Sequence, residues 1–130
     1  MSKQARVVIV EDSPTQAKQI AGLVSQYDID VVIAEDGPQA LRVIDAMQPD
    51  LVVLDVNLPE MNGFQVCRRL KRDPETAHIP IIMLTTSSSS DEMVKGLEAG
   101  AQDYILKDDF AAETLLMTLR SLGVIEEEVE

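Results

Sequence analysis

Five short apolar runs in this 130-residue chain each end on a polar residue that could do chemistry. Glu11 and Asp12 follow Val7-Val8-Ile9-Val10, Glu35 and Asp36 follow Val31-Val32-Ile33-Ala34, and Asp55 follows Leu51-Val52-Val53-Leu54. Thr85 follows Ile81-Ile82-Met83-Leu84, and Lys107 follows Tyr104-Ile105-Leu106. If the runs are parallel strands, all these residues emerge at one edge of one sheet. Carboxylates gathered there repel one another, so a site holding Glu11, Asp12 and Asp55 needs a cation. A ligand set of oxygens without Cys or His suits Mg²⁺, which keeps several waters and favours phosphate chemistry. A lysine beside it would neutralise anionic oxygen, and a threonine hydroxyl could hydrogen-bond to it.

The elements that must position these residues follow from periodicity. Runs of four apolar, largely β-branched residues are too short for buried helices and read as strands covered on both faces. Amphipathic stretches alternate with them. Ser13 is a helix N-cap and Pro14 a first helical residue, with Ala17, Ile20, Ala21 and Val24 on one face. The second helix starts near Gly37-Pro38 and turns Ala40, Val43, Ile44 and Met47 inward; the third follows Asn62 and stops at Asp73-Pro74. The fourth carries Asp91 and Glu92 in its first turn, sets Met93, Val94 and Leu97 inward and ends at Gly100. Its internal Gly96 costs about 1 kcal/mol relative to alanine, which makes this the least stable helix. The fifth begins after Asp109, places Ala112, Leu115, Leu119 and Leu122 on one side, and ends at Gly123. Fivefold strand-helix alternation predicts a single α/β domain: a doubly wound, five-stranded parallel sheet with helices on both faces. Ligands of such sheets bind outside the carboxyl ends of the strands, where the acids, Thr85 and Lys107 fall. The domain is expected over residues 1–123, with 124–130 an acidic tail or the start of a linker.

Composition narrows the function. The length suits one domain, and 45% hydrophobic residues with both charge signs describe a globular chain. No apolar run approaches the roughly 20 residues of a membrane helix, no secretory segment opens the chain, and a cytoplasmic protein is expected. The single Cys67 excludes an internal disulfide and reads as a core thiol; the formal net charge of -12 argues against direct nucleic-acid binding. The basic cluster Arg68, Arg69, Lys71 and Arg72 reads as the solvated face of the third helix, and His78 as an exposed loop residue.

The spaced motifs together resemble the receiver domains of two-component response regulators, of the chemotaxis-regulator kind. The residues that carry the resemblance are Glu11-Asp12, the stretch Asp55-Val56-Asn57-Leu58-Pro59-Glu60-Met61-Asn62-Gly63, Thr85, Glu98-Ala99-Gly100-Ala101 and Tyr104-Ile105-Leu106-Lys107. The resemblance spans the length of the chain and implies a flavodoxin-like fold with strand order 2-1-3-4-5. That order leaves Glu35 and Asp36 on an edge strand, outside the site. It implies that Asp55 accepts a phosphoryl group from a sensor histidine kinase or phosphotransfer protein, as a carboxylate nucleophile. Asp12 and Asp55 would hold Mg²⁺, with Glu11 acting through water and Asn57 through its backbone carbonyl. Lys107 and Thr85 would contact the phosphoryl oxygens, and Tyr104 would be the switch aromatic. The expected protein is a signalling receiver that promotes its own phosphorylation and dephosphorylation, not a metabolic enzyme. Its expected partners are a downstream protein or output domain and, on phosphorylation, a second copy.

Two other function classes compete. A Mg²⁺-dependent aspartyl-phosphate phosphatase usually adds an acid two residues after its nucleophile, where this chain has Asn57. A receiver-like interaction module working without phosphorylation would not need the acids, Thr85 and Lys107. Two residues depart from the family pattern: Asp108 replaces the usual proline after the lysine, and Thr86 is bulkier than the usual alanine or glycine.

Overall fold

The computed structural model describes residues 5–86, 89–108 and 110–125. Five strands alternate with five helices: β1 (Ala5–Val10), α1 (Pro14–Val24), β2 (Ile29–Ala34), α2 (Gly37–Met47), β3 (Leu51–Asp55), α3 (Gly63–Arg72), β4 (Ile81–Thr85), α4 (Ser90–Glu98), β5 (Asp103–Leu106) and α5 (Ala111–Ser121). All strand pairings are parallel, in the order β2-β1-β3-β4-β5. This is the doubly wound sheet expected from the alternation, with the strand order implied by the resemblance.

Every residue of β3 and β4 is buried, which is why both read as unbroken apolar runs. Alternate side chains serve opposite faces. Val8, Val10, Val52, Leu54, Ile81 and Met83 pack with Ala40 and Ile44 of α2 and Phe64, Val66, Cys67 and Leu70 of α3. Val7, Ile9, Leu51, Val53, Ile82 and Leu84 pack with Val24 of α1 and Leu115 and Leu119 of α5.

The helix starts carry their caps in the sequence. Ser13 Oγ accepts from the Gln16 N–H at 3.3 Å, and Asp36 Oδ1 accepts from the Gln39 N–H at 2.8 Å. Asn62 and Gln65 form a reciprocal capping box, both bonds 3.0 Å. At the outer edge of the sheet, the Tyr104 N–H donates to its neighbour's carboxylate, Asp103 Oδ1, at 2.8 Å.

Four inward assignments shift. Met93, Val94 and Leu97 of α4 are 43%, 51% and 54% exposed, and Gly96 is the residue this helix buries. The reason is volume: a Cβ on Gly96 would stand 2.9 Å from Tyr104 Cδ2 and 3.3 Å from Met83 Sδ, so the Tyr104 ring occupies the space an inward α4 side chain would take. Ala112 of α5 is exposed, whereas Leu115 and Leu119 are buried as expected. Val124 and Ile125, assigned to the tail by sequence, pack against the α1–α5 core, and the Val124 N–H donates to the Leu119 carbonyl at 2.9 Å. Residues 126–130 lie outside the described residues. Lys71 also leaves the solvated face of α3: its ammonium donates to the Ala77 and Ile79 carbonyls at 3.0 and 2.6 Å.

Candidate functional site

Asp55 is the last residue of β3, and its neighbours in the sheet bring the other site residues beside it. Register pairs Asp55 with Leu84, one residue before Thr85, and pairs Thr85 with Leu106, one residue before Lys107. On the other side, β1 ends at Val10 opposite Leu54, and the Glu11 N–H continues the ladder to the Ala34 carbonyl at 3.0 Å. Glu11, Asp12, Asp55, Thr85 and Lys107 therefore emerge along one row.

Glu11, Asp12 and Asp55 each offer a carboxylate oxygen within 4.8 Å of the others. Glu11 and Asp55 are 2% and 4% exposed, and Asp12 faces solvent. Lys107 Nζ lies 2.8 Å from Glu11 Oε2 and 3.2 Å from Asp55 Oδ2. It donates in addition to Gln16 Oε1 at 2.7 Å. Backbone amides orient the acids from below: the Ser13 N–H donates to Glu11 Oε1 and the Asn57 N–H to Asp55 Oδ1, both at 3.2 Å. Burial raises the Glu11 carboxyl above its ordinary value; the Lys107 hydrogen bond opposes that shift and the Asp55 charge adds to it. Three clustered carboxylates, two of them buried and paired with one ammonium, leave an excess of negative charge at this edge. The donor set, all oxygen with one acid open to water, fits a hard divalent cation such as Mg²⁺.

Thr85 is fully buried, and its carbonyl accepts from the Lys107 N–H at 2.6 Å, which locks the base of the lysine to β4. Tyr104 is half-buried with its ring against Gly96 and Met83; its hydroxyl is buried and has no hydrogen-bond partner among the described residues. Asn57 is exposed. Glu35 is exposed and Asp36 caps α2, so neither joins the acid cluster. Cys67 is buried, its thiol donates to the Ala99 carbonyl at 3.4 Å, and burial pushes it up to about 11. His78 is exposed.

The two departures find places. No peptide bond among the described residues is cis, and Asp108 instead turns the chain into α5: Oδ1 accepts from the Phe110 N–H at 2.8 Å. Thr86 is exposed and lines, with Gln16, Lys107 and Asp108, a cavity of about 590 Å³ between α1 and α5.

Sequence reasoning gave no role to two residues beside the site, although Gly63 stands in the stretch that carries the resemblance. Gly63 begins α3 so close to β3 that a Cβ there would collide with the Asp55 carbonyl and stand 2.9 Å from Val56 Cα. Only a bare α-carbon lets the helix start against the acid-bearing strand, and the local sequence signal is a glycine directly after an N-cap asparagine. Gln16 carries no signal beyond its place in the first turn of α1.

An acid cluster held by a partly buried lysine at the carboxyl edge of a 2-1-3-4-5 sheet agrees with the receiver arrangement that the resemblance implies. The chain belongs to that family: the model of the response regulator receiver domain matches residues 7–120. Protein PilH of Pseudomonas aeruginosa is 36% identical over 118 residues, covering 91% of this chain and 97% of PilH. The DNA-binding dual master transcriptional regulator RpaA of Synechocystis is 37% identical over 117 residues, which is 90% of this chain and 48% of RpaA. The chain thus spans nearly all of one relative and about half of another. The chemotaxis response regulator CheY4 of Vibrio cholerae superposes with a TM-score of 0.85 at 31% identity, covering 92% of this chain and 99% of that one.

Proposed function

We propose that Asp55 is the phosphoacceptor of this receiver and that the phosphoryl group comes from a phosphohistidine on a sensor histidine kinase or phosphotransfer protein. The observation that carries the reading is the position of Asp55: nearly buried, held by the Asn57 N–H, and facing both Lys107 and the other two acids. An Asp55 carboxylate oxygen attacks phosphorus, the donor P–N bond breaks, and an acyl phosphate forms while the leaving imidazole takes a proton from solvent. Lys107 then turns from the Asp55 carboxylate to the phosphoryl oxygens, and the Thr85 hydroxyl donates to them. Hydrolysis reverses the state: water attacks phosphorus, the bond to Asp55 breaks, and inorganic phosphate leaves. Asp12 and Asp55, the Asn57 carbonyl and, through water, Glu11 would hold Mg²⁺, which supplies charge neutralisation at the oxygens.

Phosphorylation adds about -1.5 to -2 charge at this edge. Movement of Thr85 toward the new group would open room for Tyr104, whose buried hydroxyl lacks a partner among the described residues and so gains from relocation. The readout surface would then be α4 with β5, presented to a downstream protein, an attached output domain or a second copy. A cytoplasmic setting agrees with the absence of any helix, among the described residues, long and apolar enough to cross a membrane.

The test is intact-protein mass after incubation with a small acyl-phosphate donor, with Mg²⁺ and with chelator. The wild type should gain one phosphoryl group only with Mg²⁺, and Asp55→Asn none. A wild type that binds Mg²⁺ yet stays unlabelled would instead support an interaction module working without phosphorylation.

A further inference from the structure

We infer that Gln16 is a positioning residue for Lys107, holding the ammonium against the acid cluster from the α1 side; the catalytic consequence rests on Asp55 being the phosphoacceptor. A lysine head group is a compact charge on a flexible four-carbon stem, with three N–H donors and no acceptor. Here the ammonium donates to Gln16 Oε1 at 2.7 Å and to Glu11 Oε2 at 2.8 Å, and it lies 3.2 Å from Asp55 Oδ2 as an ion pair. Gln16 makes the shortest of these contacts.

The three partners differ in what the reaction does to them. Asp55 loses its free carboxylate when it is phosphorylated, and Glu11 faces the cation site, so both carboxylates change their claim on the lysine during a cycle. Gln16 is neutral, does not titrate, and its amide oxygen accepts equally before and after transfer. It therefore supplies the one fixed reference for the ammonium. Its own backbone is anchored, since the Gln16 N–H donates to the N-cap Ser13 Oγ in the first turn behind Pro14.

The loop that carries Lys107 gives a second reason. Lys107 is followed by Asp108 in a trans peptide, and Asp108 spends its side chain on the turn into α5. The main chain is fixed by the Lys107 N–H on the Thr85 carbonyl, but that bond leaves the long side chain free to swing. Gln16 and Lys107 both line the cavity between α1 and α5, so without Gln16 the ammonium has water on that side. A hydrogen bond across this boundary keeps the charge on the acid side.

The experiment compares the rate of labelling by a small acyl phosphate at saturating Mg²⁺ for wild type, Gln16→Leu and Gln16→Glu, each also in a Lys107→Ala background. Gln16→Leu keeps the apolar stem and removes the acceptor; labelling should slow about tenfold, in line with the cost of small misplacements in a reacting site. Gln16→Glu restores an acceptor of equal reach and should return the rate to within about twofold of wild type. In the Lys107→Ala background, Gln16→Leu should change nothing further, because the two side chains act as one unit. A second readout does not depend on phosphorylation: the ammonium NMR signal of Lys107 in metal-free protein should be resolved in wild type and Gln16→Glu and lost in Gln16→Leu. An unchanged signal in Gln16→Leu overturns the inference whether or not Asp55 is labelled. So does an equal slowing by Gln16→Leu with and without Lys107. A wild type that stays unlabelled defeats the phosphoacceptor reading alone, and the NMR comparison then decides the role of Gln16.

Discussion

Burial sets the terms for Glu11. Its carboxyl is raised mainly by desolvation, so between the ordinary value of 4.5 and the raised folded value the native state binds more protons than the unfolded chain. The sign of the linkage follows: stability of the metal-free protein falls as pH rises through that window. Glu11→Gln removes the ionisation and should flatten this part of the pH profile, measured by chemical denaturation in chelator. Equal slopes for the two proteins would show that Lys107 fully offsets the burial of Glu11. Placement at this scale was legible wherever the residue type and its strand end mark it. Asp12, Asp55, Thr85 and Lys107 could be named from strand ends, and Cys67 could be placed in the core from its spacing. Gly63 and Gln16 were not legible, because their parts depend on how close α3 starts to Asp55 and how far the Lys107 stem extends. Both are distances between elements, and no local pattern records them.

Among the elements, α4 departs furthest from its pattern. Met93, Val94 and Leu97 recur at helical spacing, which identifies a stripe but not what covers it. The stripe faces solvent because Tyr104 takes the inward place and Gly96 yields to it. Glycine here is a cost to the helix but also a seat for the ring. Gly96→Ala should therefore fail to give the gain of about 1 kcal/mol that alanine brings at an open helical site. NMR of ring-labelled tyrosine should show Tyr104 moving to an exposed environment while Tyr27 stays put. If Tyr104 did not move and the protein gained stability, the ring would not depend on this gap. The remaining helices were more legible, since Ser13, Asn62 and Pro74 mark boundaries by mechanisms that act within a few residues. Lys71 is the exception in α3: its two carbonyl partners lie in the following loop, and periodicity assigns it to solvent.

At the scale of the whole molecule, strand-helix alternation fixed the class of the fold, and hydrophobic runs placed all five strands. Strand order came from family resemblance, because right-handed crossovers restrict the order without choosing one. Net charge acts at this scale too. With a formal charge of -12, like charges across the surface oppose compaction. The unfolding midpoint in chelator should rise when NaCl increases from about 20 mM to about 0.5 M, as the screening length shrinks from tens of ångströms to a few. A midpoint that fell with salt would mean that specific ion pairs outweigh the general repulsion.

The flanks of the sheet bear on a hazard shared by all open sheets, the templating of another chain's strand. A strand edge with free amides invites a passing chain to add itself, and repetition of that event makes fibres. The β5 flank is four residues long, and the Tyr104 amide is already occupied by the Asp103 carboxylate. The β2 flank places an exposed Asp30 within the strand, with an exposed Asp28 just before it. A newcomer strand would have to displace a local bond on one side or bring its backbone against carboxylates on the other. The most apolar strands, β3 and β4, sit between these guarded flanks, so fibre growth has no easy starting point on the folded domain.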